Sequence, residues 1–143
     1  MDLQRNKQRG LRATWGVLVL AMGLAGCAGM GAPEAPELTV RTLATQRWQA
    51  LLAQDFNKAY TFLAPSYKQL NTADAYQKKR QGVPVKWIEA KVIRTTCEAE
   101  KCDVRIALES KPLTPFAFKG TITSGIDETW VLENGQWWLL ETL

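Results

Sequence analysis

Asn134-Gly135 is the strongest local constraint on this fold. The dipeptide separates two alternating runs, 129–133 and 136–142. Both of its residues tolerate the left-handed backbone of a two-residue type I′ turn, and that turn matches the twist of paired strands. A register follows. Leu132 faces Trp137, Trp130 faces Leu139 and Glu128 faces Glu141 on one side; Val131 faces Trp138 and Thr129 faces Leu140 on the other. A second hairpin is predicted between residues 85–97 and 102–110, where Cys97 and Cys102 would meet across a short loop. That register puts Trp87, Ile93, Thr95 and Cys97 opposite Cys102, Val104, Ile106 and Leu108, with Arg94, Thr96, Asp103, Arg105 and Glu109 on the reverse. A slip of one residue would exchange the two faces, so pattern and cysteine pairing support each other. Residues 116–124 read as another strand, with a turn near Gly125.

The other end of the chain has a different character. Arg5, Lys7, Arg9 and Arg12 precede an apolar run, 15–24, and small residues follow at Ala25 and Gly26. That order is the layout of a secretory signal, and the run is short for a membrane span. Leu24-Ala25-Gly26-Cys27 resembles the lipobox of bacterial lipoproteins. The resemblance implies a signal peptide over 1–26, removed on export, and a Cys27 that carries diacylglycerol and an acylated (palmitate-type) amino group. Several acyl chains together hold a protein stably at a membrane without spanning it. Ala28 follows the cysteine in place of Asp, which by the enterobacterial sorting pattern implies the outer membrane, with the domain facing the periplasm. Residues 28–37 are rich in Gly, Pro and Ala and read as a flexible spacer, so 27–37 forms the lipidated cysteine and linker.

Export changes how charge and cysteine are read. The whole chain is +4, and the first 26 residues hold four basic residues and Asp2, so the remainder is nearly neutral at +1. The high isoelectric point therefore belongs to the export signal, and nucleic acid is not an expected partner. Cys97 and Cys102 then lie in an oxidising compartment, where a disulfide is the default. A metal is the competing reading. The chain has no histidine, and two thiolates alone do not complete a tetrahedral zinc site. No cofactor motif is present, and none is expected.

Helical spacing dominates residues 38–80. Leu38, Leu43, Trp48, Leu51 and Leu52 form one stripe, with Arg41 and Arg47 expected to point elsewhere. Asp55 can cap a helix carrying Phe56, Ala59, Tyr60 and Leu63; Pro65 ends it or sits at a turn; residues 66–70 read as a connector. Asn71 or Thr72 can cap a third helix, which Gly82 and Pro84 end. Helices followed by an antiparallel sheet predict an α+β domain with the helices on one sheet face. Three helices carrying Trp48, Asp55-Phe56, Ala59-Tyr60 and Pro65-Ser66-Tyr67, then hairpins ending in Glu128-Thr129-Trp130 and Asn134-Gly135-Gln136-Trp137-Trp138, resemble the NTF2-like (SnoaL-like) superfamily over residues 38–143. That resemblance implies a cone in which helices cover a curved sheet. The superfamily hosts enzymes, ligand binders and dimerisation modules, so fold alone selects no function.

Three constellations are candidates. Glu128 facing Glu141 would, inside a cavity, repel and separate in pKa into an acid/base pair; at a solvated sheet end beside Lys or Arg it would do nothing. Asp55 is a further carboxylate candidate, although capping already accounts for it. Tyr60, Tyr67, Tyr76, Trp87, Trp130 and Trp137 suit the wall of a pocket for a small apolar ligand, and equally suit ordinary core. Trp138, Val131 and Leu140 share the outer sheet face, where an exposed indole would mark a protein partner or a homodimer. Without histidine no nucleophilic triad can form, so a non-enzymatic interaction or self-association module comes first, a ligand binder second, and a hydrolase or isomerase using the carboxylates third.

Overall fold

The computed structural model of the protein describes residues 35–113 and 120–141. The signal segment, Cys27, most of the spacer and residues 116–119 of the predicted 116–124 strand lie outside the described residues; its last three residues open β3. Four helices precede four strands: α1 (Pro36–Leu52), α2 (Phe56–Thr61), α3 (Pro65–Leu70), α4 (Ala73–Gln81), β1 (Val85–Glu98), β2 (Lys101–Pro112), β3 (Ile122–Glu133) and β4 (Gln136–Leu139). This is the expected α+β class, with helices packed on an antiparallel sheet.

Local chemistry explains the helix ends. Pro36 opens α1 in the first turn, where a missing N–H costs nothing. The Asp55 carboxylate accepts from Lys58 N at 3.0 Å and caps α2. Thr72 Oγ1 accepts from Ala75 N at 3.2 Å and caps α4. Lys78, Lys79 and Arg80 lie in the last turn of α4, where cations face the negative end of the helix dipole. The stretch expected to be a connector after Pro65 folds as α3 instead. Proline suits the start of a helix as well as the residue after one, and Pro65 occupies the start.

The sheet is a meander of order β1-β2-β3-β4. Its last hairpin has the predicted register, with Trp130 paired to Leu139, Val131 to Trp138 and Leu132 to Trp137. Asn134 (φ 54°) and Gly135 (φ 76°) both take the left-handed conformation of the turn. At the other hairpin Cys97 and Cys102 are paired in the ladder and joined by a disulfide, their Cα atoms 4.0 Å apart. The β4 edge is closed by the α2–α3 connection, where Leu139 N donates to Phe62 O and Ala64 N to Leu139 O, both at 2.9 Å.

Two expectations about the strands are corrected. Ile93 does not share the inner face with Thr95, because the β1–β2 register shifts between Val92 and Arg94 and leaves Ile93 58% exposed. A second shift between Trp87 and Glu89 restores the phase, so Trp87 still faces inward. Such bulges bend a strand and increase its twist, which curves this sheet over the helices. Gly125 is not a turn. It sits mid-strand in β3 opposite Ala107, and a Cβ there would lie 2.0 Å from the Arg105 guanidinium. Glycine at this position lets the Arg105 side chain lie flat across the sheet.

The core sits between α1, α2, α4 and the inner sheet face. Val40, Ala44, Leu51, Ala59, Leu63, Cys102, Val104, Ile106, Trp130 and Leu139 are all buried. Burial of one such large aliphatic side chain stabilises by about 1.5–3 kcal/mol.

Candidate functional site

Arg47, Glu128 and Ser110 break the apolar pattern of that core. Arg47 was expected to point away from the stripe of α1, but it lies on it and is 2% exposed. Its position follows from spacing, since Val40, Ala44, Arg47 and Leu51 recur every three to four residues. Burying a guanidinium is costly unless it is paired; here both terminal nitrogens are met, while Nε has no partner. Arg47 Nη1 donates to Glu128 Oε1, and Nη2 donates to Glu141 Oε2 at 3.2 Å and to the Tyr76 hydroxyl at 3.3 Å. Arg80, from the end of α4, donates to the second oxygen of Glu141. Glu128 also accepts from Trp48 Nε1 at 2.8 Å and from Trp130 Nε1 at 3.1 Å. The result is an alternating chain, Glu128–Arg47–Glu141–Arg80, that ties α1 and α4 to β3 and to the segment after β4.

This arrangement decides what the two glutamates can do. The ladder of β4 stops at Leu139, so Glu128 and Glu141 do not meet as a bare cross-strand pair. Arg47 lies between them and bonds both. Glu128 is 7% exposed and its oxygens are already held by three donors. A carboxylate occupied in this way ties the elements that carry its donors together. The network also acts on its neighbours. Burial raises the Tyr67 hydroxyl above its ordinary range, and the Glu141 carboxylate adds to this. Burial lowers the Arg80 guanidinium, but Glu141 and Tyr76 together outweigh it and the net displacement is upward.

Above the network lies a cleft of about 410 Å3. Trp48, Val83, Trp87, Leu108 and Ile126 form its apolar walls, and Arg47, Arg80, Glu128 and Glu141 form its polar end. Trp48 and Trp87 meet edge to face at 5.8 Å between ring centres, which fixes the Trp87 indole at the wall. A second cleft of about 360 Å3 adjoins it and shares Arg80, Val83 and Trp87.

Of the aromatic residues singled out from sequence, Trp87 lines these clefts. Tyr60, Tyr67 and Tyr76 pack on one another between α2, α3 and α4, with Tyr60 bonded to Asn71 O at 2.6 Å. Trp130 is fully buried against Phe62, and Trp137 packs half-buried on the core. Asp55 is exposed at its cap, away from the cleft. The sequence reading missed Arg47, Trp48 and Arg80 as site residues. For Arg47 a signal existed in its stripe spacing; for Arg80 none did, because its partner lies 61 residues away.

The outer sheet face is different. Trp138 and Val131 are half-buried there and Leu140 is 48% exposed. The Lys68 ammonium sits 4.6 Å from the Trp138 ring centre and 5.8 Å from that of Tyr60, and donates to Thr61 O at 2.7 Å. Burial lowers the Lys68 ammonium below its ordinary value. Trp138 is thus partly covered by its own chain. Arg94 faces Arg105 as the register requires, and Arg105 pairs with Asp127 in solvent. A hydrogen bond from Lys101 holds Asp103 below the usual carboxylate range. Among the described residues no cluster of Cys, Asp or Glu is arranged to hold a metal, and no helix is long and apolar enough to cross a membrane.

No protein-family model matches this chain. No curated protein matches it either. Solved structures do. A SEC-C motif-containing protein from Rhodopseudomonas palustris shares 15% identity at a TM-score of 0.55, over 75% of this chain and 76% of that one. A SEC-C motif-containing protein from Psychrobacter arcticus shares 16% identity at 0.56, over 71% of this chain and 58% of that one. An NTF2-like transpeptidase, as it is described, from Campylobacter jejuni shares 13% identity at 0.47, over 71% of this chain and 96% of that one. At such identities the SEC-C proteins show a shared fold and nothing about activity. The Campylobacter likeness, weaker still, carries no argument.

Proposed function

We propose that this chain is an envelope lipoprotein, anchored to the outer membrane through Cys27 and facing the periplasm, whose NTF2-like domain binds a small, largely apolar ligand and performs no chemistry on it. The observation that supports this reading is the cleft over the arginine–glutamate network. Its volume, about 410 Å3, is that of a small-molecule site, and its walls are aromatic and aliphatic. Of its three carboxylates, Glu128 and Glu141 are engaged by guanidinium and indole donors and Asp127 is paired with Arg105, which argues against acid/base catalysis.

Native mass spectrometry of the protein purified from the periplasmic side tests this reading. The expected result is a retained small molecule, with Trp87→Ala releasing it. A protein that carries nothing, and whose tryptophan emission responds to no apolar probe, would overturn it. A second reading, self-association through Trp138, Val131 and Leu140, rests on the exposure of Leu140 beside a partly covered indole. The same spectrum bears on it, since a dimer dissolved by Val131→Asp, a residue outside the cleft lining, would favour association over ligand binding.

A further inference from the structure

The smaller of the two clefts differs from the larger in its charge. It lies between the α1–α2 turn, the end of α4 and the start of β1. Leu51, Leu52 and Phe56 wall it on the helical side, and Val83, Val85 and Trp87 on the other. Its polar members are Arg80, Lys86, Gln54 and Gln81: two cations, two amides and no carboxylate. In the larger cleft each guanidinium has a glutamate facing it, whereas Lys86 makes no ion pair among the described residues. Lys86 also stands directly opposite Lys111 in the β1–β2 ladder. Like charges opposed across a sheet are destabilising, so the Lys86 ammonium has no cross-strand partner of opposite charge. Arg80 meets Glu141 through one nitrogen, and its side chain remains 20% exposed at the boundary of the two clefts.

We infer that this smaller cleft is a site for an amphipathic anion: a free small molecule with an aryl or acyl body against Trp87, Phe56 and the leucines, and a carboxylate, phosphate or sulfonate head at Lys86 and Arg80. The inference rests on the reading of the domain as a binding module and names the chemical class that its cationic arm selects. A cavity of about 360 Å3 accommodates a bicyclic body with its head group. Gln54 and Gln81 supply neutral donors that orient the head, and the indole of Trp87 reports occupancy by its emission. Lys86 sets the preference for charge, because it contributes to no pair that the fold needs. Arg80 contributes too, but its bond to Glu141 makes it a poorer probe.

The test uses the full lipidated protein in phosphatidylcholine nanodiscs, with empty discs as the blank. Three ligands of one ring system are titrated against tryptophan emission: naphthoate, naphthalenemethanol and naphthylmethylammonium. Naphthoate is expected to bind at least about tenfold tighter than the other two. Lys86→Glu should remove that preference, weakening naphthoate at least about tenfold more than the alcohol. Lys86 is exposed and unpaired among the described residues, so the variant folds; Arg80→Gln should act in the same direction. Equal affinity for all three ligands would overturn the anion class and leave the binding module standing. If none of the three binds, both readings fail. Recruitment to phosphatidylglycerol vesicles that Lys86→Glu abolishes, without naphthoate binding, assigns the cations to a lipid headgroup and overturns the free-ligand site.

Discussion

Arg47 shows how one side chain can reverse the reading of its neighbours. A charged residue on a helix is ordinarily placed toward solvent, because burying an unpaired guanidinium is costly. Here two glutamates and a tyrosine hydroxyl meet its terminal nitrogens, and the cost is offset by hydrogen bonds in a dry setting. Breaking a buried pair from one side leaves the other charge uncompensated, which costs about 3–5 kcal/mol. Arg47→Met should therefore lower the urea midpoint sharply. Adding Glu128→Gln should recover part of the loss, since glutamine leaves no stranded charge and its one carbonyl oxygen still accepts from one of the two indoles. A single variant as stable as the parent would show that the network does not tie the helices to the sheet. At this scale the sequence was readable for Asp55 and Thr72, whose capping partners lie three residues away. It was not readable for Arg47, whose partners lie 81 and 94 residues away.

At the scale of elements, the hairpins were legible and the bulges were not. Asn134-Gly135 determines its register because the turn needs two left-handed residues, and few dipeptides accept them. Gly135→Val should cost about 1–2 kcal/mol, the usual penalty for a left-handed backbone with a Cβ. Thermal denaturation would measure it, and an unchanged midpoint would mean that the turn has another conformation. The cysteine hairpin was legible through the agreement of alternation and pairing. Ile93 illustrates the limit. Its side chain suits an inner face, yet the bulge turns it outward and gives Val92 its place. Nothing local marks that slip, because a bulge answers the curvature that the helices impose on the sheet. Pro65 is similar. Proline stops one helix and starts another equally well, and the outcome depended on where the α2–α3 connection closes the β4 edge.

For the whole molecule, the proposed anchor and the proposed binding sites fall in separate segments. Substituting Cys27→Ser should release the protein from the membrane fraction while leaving ligand affinity unchanged, because the clefts are built from residues of the folded domain alone. Fractionation with detergent phase partition would measure release; continued partition into detergent would exclude Cys27 as the anchor. The order of helices before strands, the α+β class and the hairpin registers were determined by the sequence itself, since each rests on spacing over a few residues. The clefts and their charge were decided by tertiary structure. Arg80 and Glu141, or Lys86 and Lys111, are far apart along the chain, and only the closing of the helices over the curved sheet places them together. Periodicity reports which face of an element is buried. It does not report which buried faces meet, and the chemistry of this protein lies where they do.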